Sequence, residues 1–419
     1  MLYMHMPHLS APNSPHPKGL PLAAASSSLT PGGGRLLVAQ GVVGAVSFSL
    51  LLAGSNAITP LMPIYRTMLG FTPLSMSLTF VSYVGVMTVT LLVLSRPSMM
   101  KRSGFLLLGA LLLAAAADAM LGVAAEPFVL TGRAMSGVAG GLGTGAAAAL
   151  VVTSLGHAGR SVSATGNLVG AIVGTVFAQA CVAIYAEEAV HWTYILHAIA
   201  CIAAAGALTI VLIACRTANR ELLSIVNPAL PRSTTGLRST LMPLAVGCMA
   251  WCTLSTSLVY LPTYFAETRL PQAQTFGTIA MLTLSAAAQL GSPWAARRLP
   301  WASGLPTMAL GIAGILAGAR LGWDVLAIAG SALTGAGLGA SHRLGLVMFT
   351  KGTPPADHGA LSSFYAATTY LIAGLSVLGS GMLGSVLGLE GSVLTTFAVL
   401  GTAAAGLAWK APRLRDSHG

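Results

Sequence analysis

Residues 104–153 read GFLLLGALLLAAAADAMLGVAAEPFVLTGRAMSGVAGGLGTGAAAALVVT, and two membrane spans are legible in them. The stretches 104–124 and 127–153 are apolar on every helical face. Each reaches the ~20 residues that carry an α-helix across the hydrocarbon of a bilayer. Barrel strands would be about half as long and would alternate in polarity. Only helices and closed barrels satisfy the backbone in lipid, so these runs are read as helices joined by a tight turn. One charge interrupts each run, Asp118 in the first and Arg133 in the second, and glycines crowd the second at 137, 140, 141, 143 and 145.

The same pattern extends in both directions. Further apolar runs fall at about 36–56, 72–95, 162–186, 191–214, 240–264, 273–295, 304–322, 325–350, 358–385 and 390–410, which makes twelve in 419 residues. The composition agrees: 55% of residues are hydrophobic, 7% are charged, and the mean hydropathy is +0.79. A soluble domain carries about 25% charged residues. The five cysteines, Cys181, Cys201, Cys215, Cys248 and Cys252, lie in or beside apolar runs without a C-x-x-C pair. They read as small buried side chains rather than a metal or redox centre. The net charge of +11 is scattered in short clusters between spans, which is no footprint for nucleic acid.

Those clusters orient the chain. With the N-terminus inside, 16 of the 21 Lys and Arg residues fall in inner loops and tails, and three (Arg66, Arg269, Arg320) fall outside. The bias predicts cytoplasmic termini, and the expected localisation is the plasma (inner) membrane. The expected organisation is a mobile cytoplasmic tail at 1–34, a six-helix bundle at 35–214, a cytoplasmic linker at 215–239, a second six-helix bundle at 240–410, and a tail at 411–419. The first tail contains Met1, Met4, His5, Met6, His8 and His16. Their spacing defines no metal geometry, so no metal is expected.

The halves share local sequence. Pro63-Ile64-Tyr65 matches Pro262-Thr263-Tyr264 at an offset of 199 residues, and Gly141-Leu142-Gly143 matches Gly337-Leu338-Gly339 at 196. Two matches nearly in register suggest an internal duplication. Within this frame, Arg133-Ala134-Met135-Ser136-Gly137-Val138-Ala139-Gly140-Gly141 resembles the fourth-helix motif Arg-x-x-x-Gly-x-x-x-Gly of the major facilitator superfamily. The resemblance, over about 36–410, implies an all-α membrane protein of twelve transmembrane helices in two pseudo-symmetric six-helix bundles. It implies alternating access, and it gives the motif's Arg a part in proton coupling.

The chain departs from the family in two loops, neither of which keeps the Asp, and in the first helix. The superfamily's loop between helices two and three reads Gly-x-x-x-Asp-Arg-x-Gly-Arg-Arg. Here Leu94–Arg102 reads LSRPSMMKR, which keeps Arg96, Lys101 and Arg102 but lacks the Asp and the glycines. The corresponding loop after the eighth helix keeps Arg297 and Arg298. These five basic residues are the gating-loop candidates. The first helix also lacks the acid that many drug exporters carry there.

Charges inside the bilayer mark function by default. Asp118 and Arg133 each lie about six residues from the turn at 124–127, roughly 10 Å deep at 1.5 Å per residue. They are expected to pair, either as a fixed pin or as a proton-linked switch, and are the proton-coupling candidates. His342 and Arg343 in the tenth span are candidates for an anion contact. Asn56, Asn167, Trp251, Tyr260 and Tyr365, with Arg133, complete the substrate-binding candidates and describe a largely apolar cavity with a few polar anchors. His191 and His197 stand near one outer end of the sixth span with no acid joining them within the bilayer, so no catalytic set is expected.

No phosphate-binding loop ending in Lys-Ser or Lys-Thr is present, so transport is driven by a gradient or runs downhill, and no cofactor is expected. The expected function is proton-coupled efflux of a small amphiphilic anion or zwitterion by a monomer in the bilayer. The alternatives are uptake or facilitated diffusion of an organic anion or other metabolite, and a lipid flippase. A flippase predicts a lateral opening lined with apolar and basic residues.

Overall fold

The structure, a computed structural model, describes residues 31–94, 102–155, 157–215, 241–351 and 358–418. The expected N-terminal tail up to residue 30, the linker at 216–239, Arg96 and Lys101 lie outside the described residues. The first half comprises α1 (Pro31–Leu69), α2 (Pro73–Leu94), α3 (Ser103–Leu121), α4 (Glu126–Leu155), α5 (His157–Tyr185) and α6 (Ala189–Ala214). The second comprises α7 (Leu241–Glu267), α8 (Pro271–Arg298), α9 (Gly304–Leu321) and α10 (Asp324–Thr350). The final helical stretch, His358–Leu407, breaks at Gly388, whose φ of 72° suits only glycine. We call its two parts α11 and α12. Among the described residues there are therefore twelve α-helices and no strand.

Two boundaries differ from the sequence reading. The first span was expected to end near residue 56, but α1 continues through Pro60 and Pro63 to Leu69. In lipid a proline interrupts the ladder without ending the helix, because neighbouring helices take up the freed groups. The C-terminal residues do not trail off as a tail. Leu414 and Arg415 donate their amides to the carbonyls of Ala302 and Pro300, and Lys351 Nζ reaches the carbonyl of Asp416.

The duplication is visible in how glycines seat one helix on another. A Cβ at Gly137 of α4 would press into the carbonyl of Tyr83 on α2, and one at Gly141 into Thr90 and the carbonyl of Met87. In the second half, Gly335 and Gly339 of α10 meet the carbonyls of Met281 and Ser285 on α8 in the same way. All four positions repeat at a spacing of 198 residues. The sequence match of Gly141 with Gly337 is therefore two residues out of register; Gly141 is the counterpart of Gly339.

Apolar side chains such as Phe105, Ile184, Ile210, Leu310 and Val386 cover the outward faces, as a lipid-facing surface requires. Both described ends of the chain lie at one end of the bundle, the terminal end. The halves are joined at the opposite, distal end. There Tyr65, Phe71 and Met76 share a continuous apolar core with Tyr260, Tyr264 and Phe265. Arg66 of α1 pairs with Glu267 of α7. Tyr260 of α7 bonds Ser77 and the carbonyl of Pro73 on α2 and that of Val377 on α11. Gly381 and Gly384 of α11 form the notch that receives Ser77 and Pro73. The distal end is thus closed.

Candidate functional site

Arg133 is 3% exposed in the interior of the first half. Its Nε donates to the carbonyl of Thr79 on α2 at 3.0 Å, and one terminal nitrogen donates to the carbonyl of Ser55 on α1 at 2.9 Å. The guanidinium lies 4.4 Å from the ring centre of Tyr83 on α2. A planar fork suits this double capping with an aromatic face beneath it. Among the described residues, no carboxylate forms an ion pair with Arg133.

The expected Asp118–Arg133 pair is therefore not formed. The physical reason is helix rotation. The positions of α3 and α4 that face each other are Ala117 and Leu121 against Gly132. One residue further along each helix turns the side chain by about 100°. Arg133 consequently points to α1 and α2, whereas Asp118 points to α6.

The partner of Asp118 is His197, which the sequence had appeared to leave without an acid. Nδ1 of His197 lies 2.7 Å from Oδ2 of Asp118, with both side chains 4% exposed. Its Nε2 lies 3.0 Å from the carbonyl of Leu50 on α1. Cys201, one turn along α6, places its sulfur 3.8 Å from both ring nitrogens. Gly54 makes room for the imidazole: any Cβ there would overlap the ring. A small cavity beside the pair is lined by Gly54, Ser55, Asp118, Ser136 and His197 among others.

A second cluster lies in the other half. Trp251 Nε1 donates to Nδ1 of His342 at 3.2 Å, and the hydroxyl of Tyr365 donates to the backbone carbonyl of His342 at 3.2 Å. Tyr370 meets Trp251 edge-on with ring centres 4.5 Å apart. It also packs against the Tyr83–Val84–Met87 cluster of α2, so aromatic contact reaches from Arg133's platform across the halves. Trp N–H is a donor only, so His342 accepts at Nδ1 and is neutral there.

The structure brings together three of the candidates, Trp251, His342 and Tyr365. It separates others. Tyr260 belongs to the distal closure, not to this cluster. Arg343 of α10 donates to the carbonyl of Gln289 on α8 at 2.7 Å and is half-buried. Asn56 bonds back to the carbonyl of Leu52 within α1. Asn167 lies on α5, and its side chain is outside the described residues. Of the gating-loop candidates, Arg102 is exposed at the start of α3, and Arg297 and Arg298 close α8, the latter over the ring of Trp294. The sequence reading missed Tyr83 and His197. An aromatic residue in an apolar helix carries no mark, but a histidine eight residues inside a span did.

The family model of the Major Facilitator Superfamily matches residues 44–375. The chain belongs to this superfamily. As a member, it is an integral membrane transporter rather than an enzyme. No curated protein sequence matches it. Among solved structures it resembles the nucleoside transporter NupG, with 13% identity over 90% of this chain and 98% of that one (TM-score 0.62). It also resembles the xylose transporter XylE from E. coli in an inward-open conformation, at 11% identity over 90% and 97% (TM-score 0.65). A third is a bacterial homologue of the human lysosomal transporter Spinster, inward-facing and occupied, at 14% identity over 93% and 94% (TM-score 0.60). At these identities the likeness is one of fold.

Proposed function

We propose that this superfamily member is a proton-driven exporter of a small anionic or zwitterionic amphiphile, working by alternating access with its termini in the cytoplasm. The observation that carries the substrate sign is Arg133, a buried guanidinium with no carboxylate paired to it among the described residues. With Asp118 engaged by His197, the interior of the first half keeps a net cation, and an anion entering between the halves would be drawn to it. Arg343 adds a second cation that spends one donor on a carbonyl. Trp251, Tyr365 and Tyr370 offer apolar faces beside the polar edge of His342, which suits an amphiphile.

The test is uptake into inverted membrane vesicles from a panel of anionic, zwitterionic and neutral amphiphiles. Arg343→Gln is expected to weaken half-saturation by an anion about tenfold, the effect of one lost charge-assisted hydrogen bond of ~1.5 kcal/mol. A neutral compound should be little affected. Equal losses for both would remove Arg343 from the anion contact.

Alternating access requires the distal closure to open. Arg66 and Glu267 are 28% and 40% exposed, so their ion pair contributes under ~1 kcal/mol and is easily broken. The double variant Arg66→Cys/Glu267→Cys, bridged by a short cleavable bis-methanethiosulfonate cross-linker that spans the length of the lost ion pair, is expected to stop transporting and to recover on reduction. Full transport by the cross-linked protein would show that this end does not open.

The flippase reading finds less support. A recess of about 490 Å³ does open between α5 and α8 at the junction of the halves, lined by Val176, Gln179, Ala183, Pro271, Gln274 and Phe276 among others. No Lys or Arg lines it, so it lacks the basic residues that a phospholipid headgroup would call for.

A further inference from the structure

We infer that Asp118 and His197 form a proton-binding site whose occupancy controls the grip of α6 on α1 and α3. The inference deepens the proposed function and rests on it only for the direction of coupling. The imidazole of His197 stands between two acceptors, the carboxylate of Asp118 at Nδ1 and the carbonyl of Leu50 at Nε2. A carbonyl can only accept, so Nε2 carries a hydrogen. The Nδ1···Oδ2 contact at 2.7 Å then needs a proton of its own, held either on Nδ1 of an imidazolium or on the carboxyl group. In both forms the pair is neutral, which its burial in an apolar bundle favours.

Removal of that shared proton leaves one hydrogen for two contacts. If the remaining hydrogen stays on Nε2, the ring lone pair faces the carboxylate and α6 parts from α3. If it moves to Nδ1, a bare Nε2 faces the carbonyl of Leu50 and α6 parts from α1. Proton loss therefore breaks one of two helix contacts, whichever tautomer results. Arg133 holds α1 five residues further along, at the carbonyl of Ser55. The segment Leu50–Ser55 is thus clamped at one end by a group that exchanges a proton and at the other by one that does not.

The surroundings fit this role. Ser55 of α1 and Ser136 of α4 face the same small cavity as both members of the pair, giving a proton a polar neighbour. The other titratable or charged groups at the site are Cys201 and Tyr194 on α6, Tyr65 on α1, Tyr83 on α2 and Arg133 on α4. Of these, only Cys201 contacts the ring of His197. The α1 segment leads directly to Tyr65, which bonds the carbonyl of Leu121, and to Arg66 at the distal closure.

The experiment needs no substrate. Infrared difference spectra of the detergent-solubilised full chain are recorded between about pH 5 and 8.5, the range in which imidazole ordinarily titrates. The expected result is a carboxyl or carboxylate band that changes with pH, disappears in Asp118→Asn and shifts its midpoint in His197→Gln. The protection of the α1 peptide holding Leu50–Ser55 or of the α3 peptide holding Asp118, taken as measured exchange relative to the intrinsic rate at each pH, should fall severalfold over the same pH interval in the wild type and lose that dependence in His197→Gln. Asp118→Asn also serves as a fold control, since its amide retains a hydrogen for Nδ1. A pH-invariant band, or protection of these peptides that is constant with pH in the wild type or changes with pH equally in both variants, would overturn the inference. That result would leave the exporter reading standing if vesicles still show proton-linked flux. A normal titration with no proton flux for any panel compound would fault the exporter reading instead.

Discussion

Replacing Arg133 with alanine is expected to reduce transport about 100-fold while leaving a folded protein in the membrane. Two charge-assisted hydrogen bonds, each worth ~1.5–3 kcal/mol, hold α4 to α1 and α2 through this side chain. Their loss frees the α1 segment at Ser55 and removes the cation proposed to attract substrate. The carbonyls left behind are helix carbonyls that keep their own ladder bonds, so the fold is not expected to fail. Arg133→Lys should recover little, no more than about a tenth of the activity. An ammonium group is a point charge that cannot cap both carbonyls in plane while lying flat on Tyr83. Initial rates normalised to monodisperse protein measure this. Full activity in either variant would remove Arg133 from the mechanism.

The second large effect concerns stability. Gly335→Ala is expected to destabilise the protein by ~1–3 kcal/mol, the usual cost of overpacking a close contact. The new methyl would press into the backbone carbonyl of Met281, which has no flexible end to move aside. The matched control is Gly145→Ala on α4, where a Cβ would meet nothing within 4 Å. That change should be neutral or stabilise the helix by up to ~1 kcal/mol. Thermal unfolding of the two variants in one detergent decides the matter. Equal melting temperatures would mean that the α8–α10 contact is looser than described.

Much of the architecture was legible because a bilayer forces it. Runs near 20 apolar residues in length have few structural options, and the glycines at 137, 141, 335 and 339 mark where helix backbones meet. The repeat could be seen but not registered, because glycine spacing within α4 and α10 allows alignments two residues apart. The site was harder to read. Asp118 and Arg133 were both found, but pairing them required knowing the rotation of α3 and α4, and one residue of error turns a side chain by about 100°. His197 is 79 residues from its acid, and no local pattern ties them. The passage of α1 through two prolines reversed a rule that holds best in water. In the second half, Trp251, His342 and Tyr365 were named separately from three spans, and the fold assembled them.

The most direct test of proton-driven export of an anionic amphiphile is proton flux in liposomes. Purified protein is reconstituted with a pH-sensitive dye inside, a pH gradient is imposed, and cationic, anionic, zwitterionic and neutral amphiphiles are added in turn. The account predicts dye responses to anionic or zwitterionic compounds only, in the direction that carries protons against substrate, and their loss in Arg133→Ala. A response to cations alone, or saturable transport of an anion with no accompanying proton movement, would contradict it.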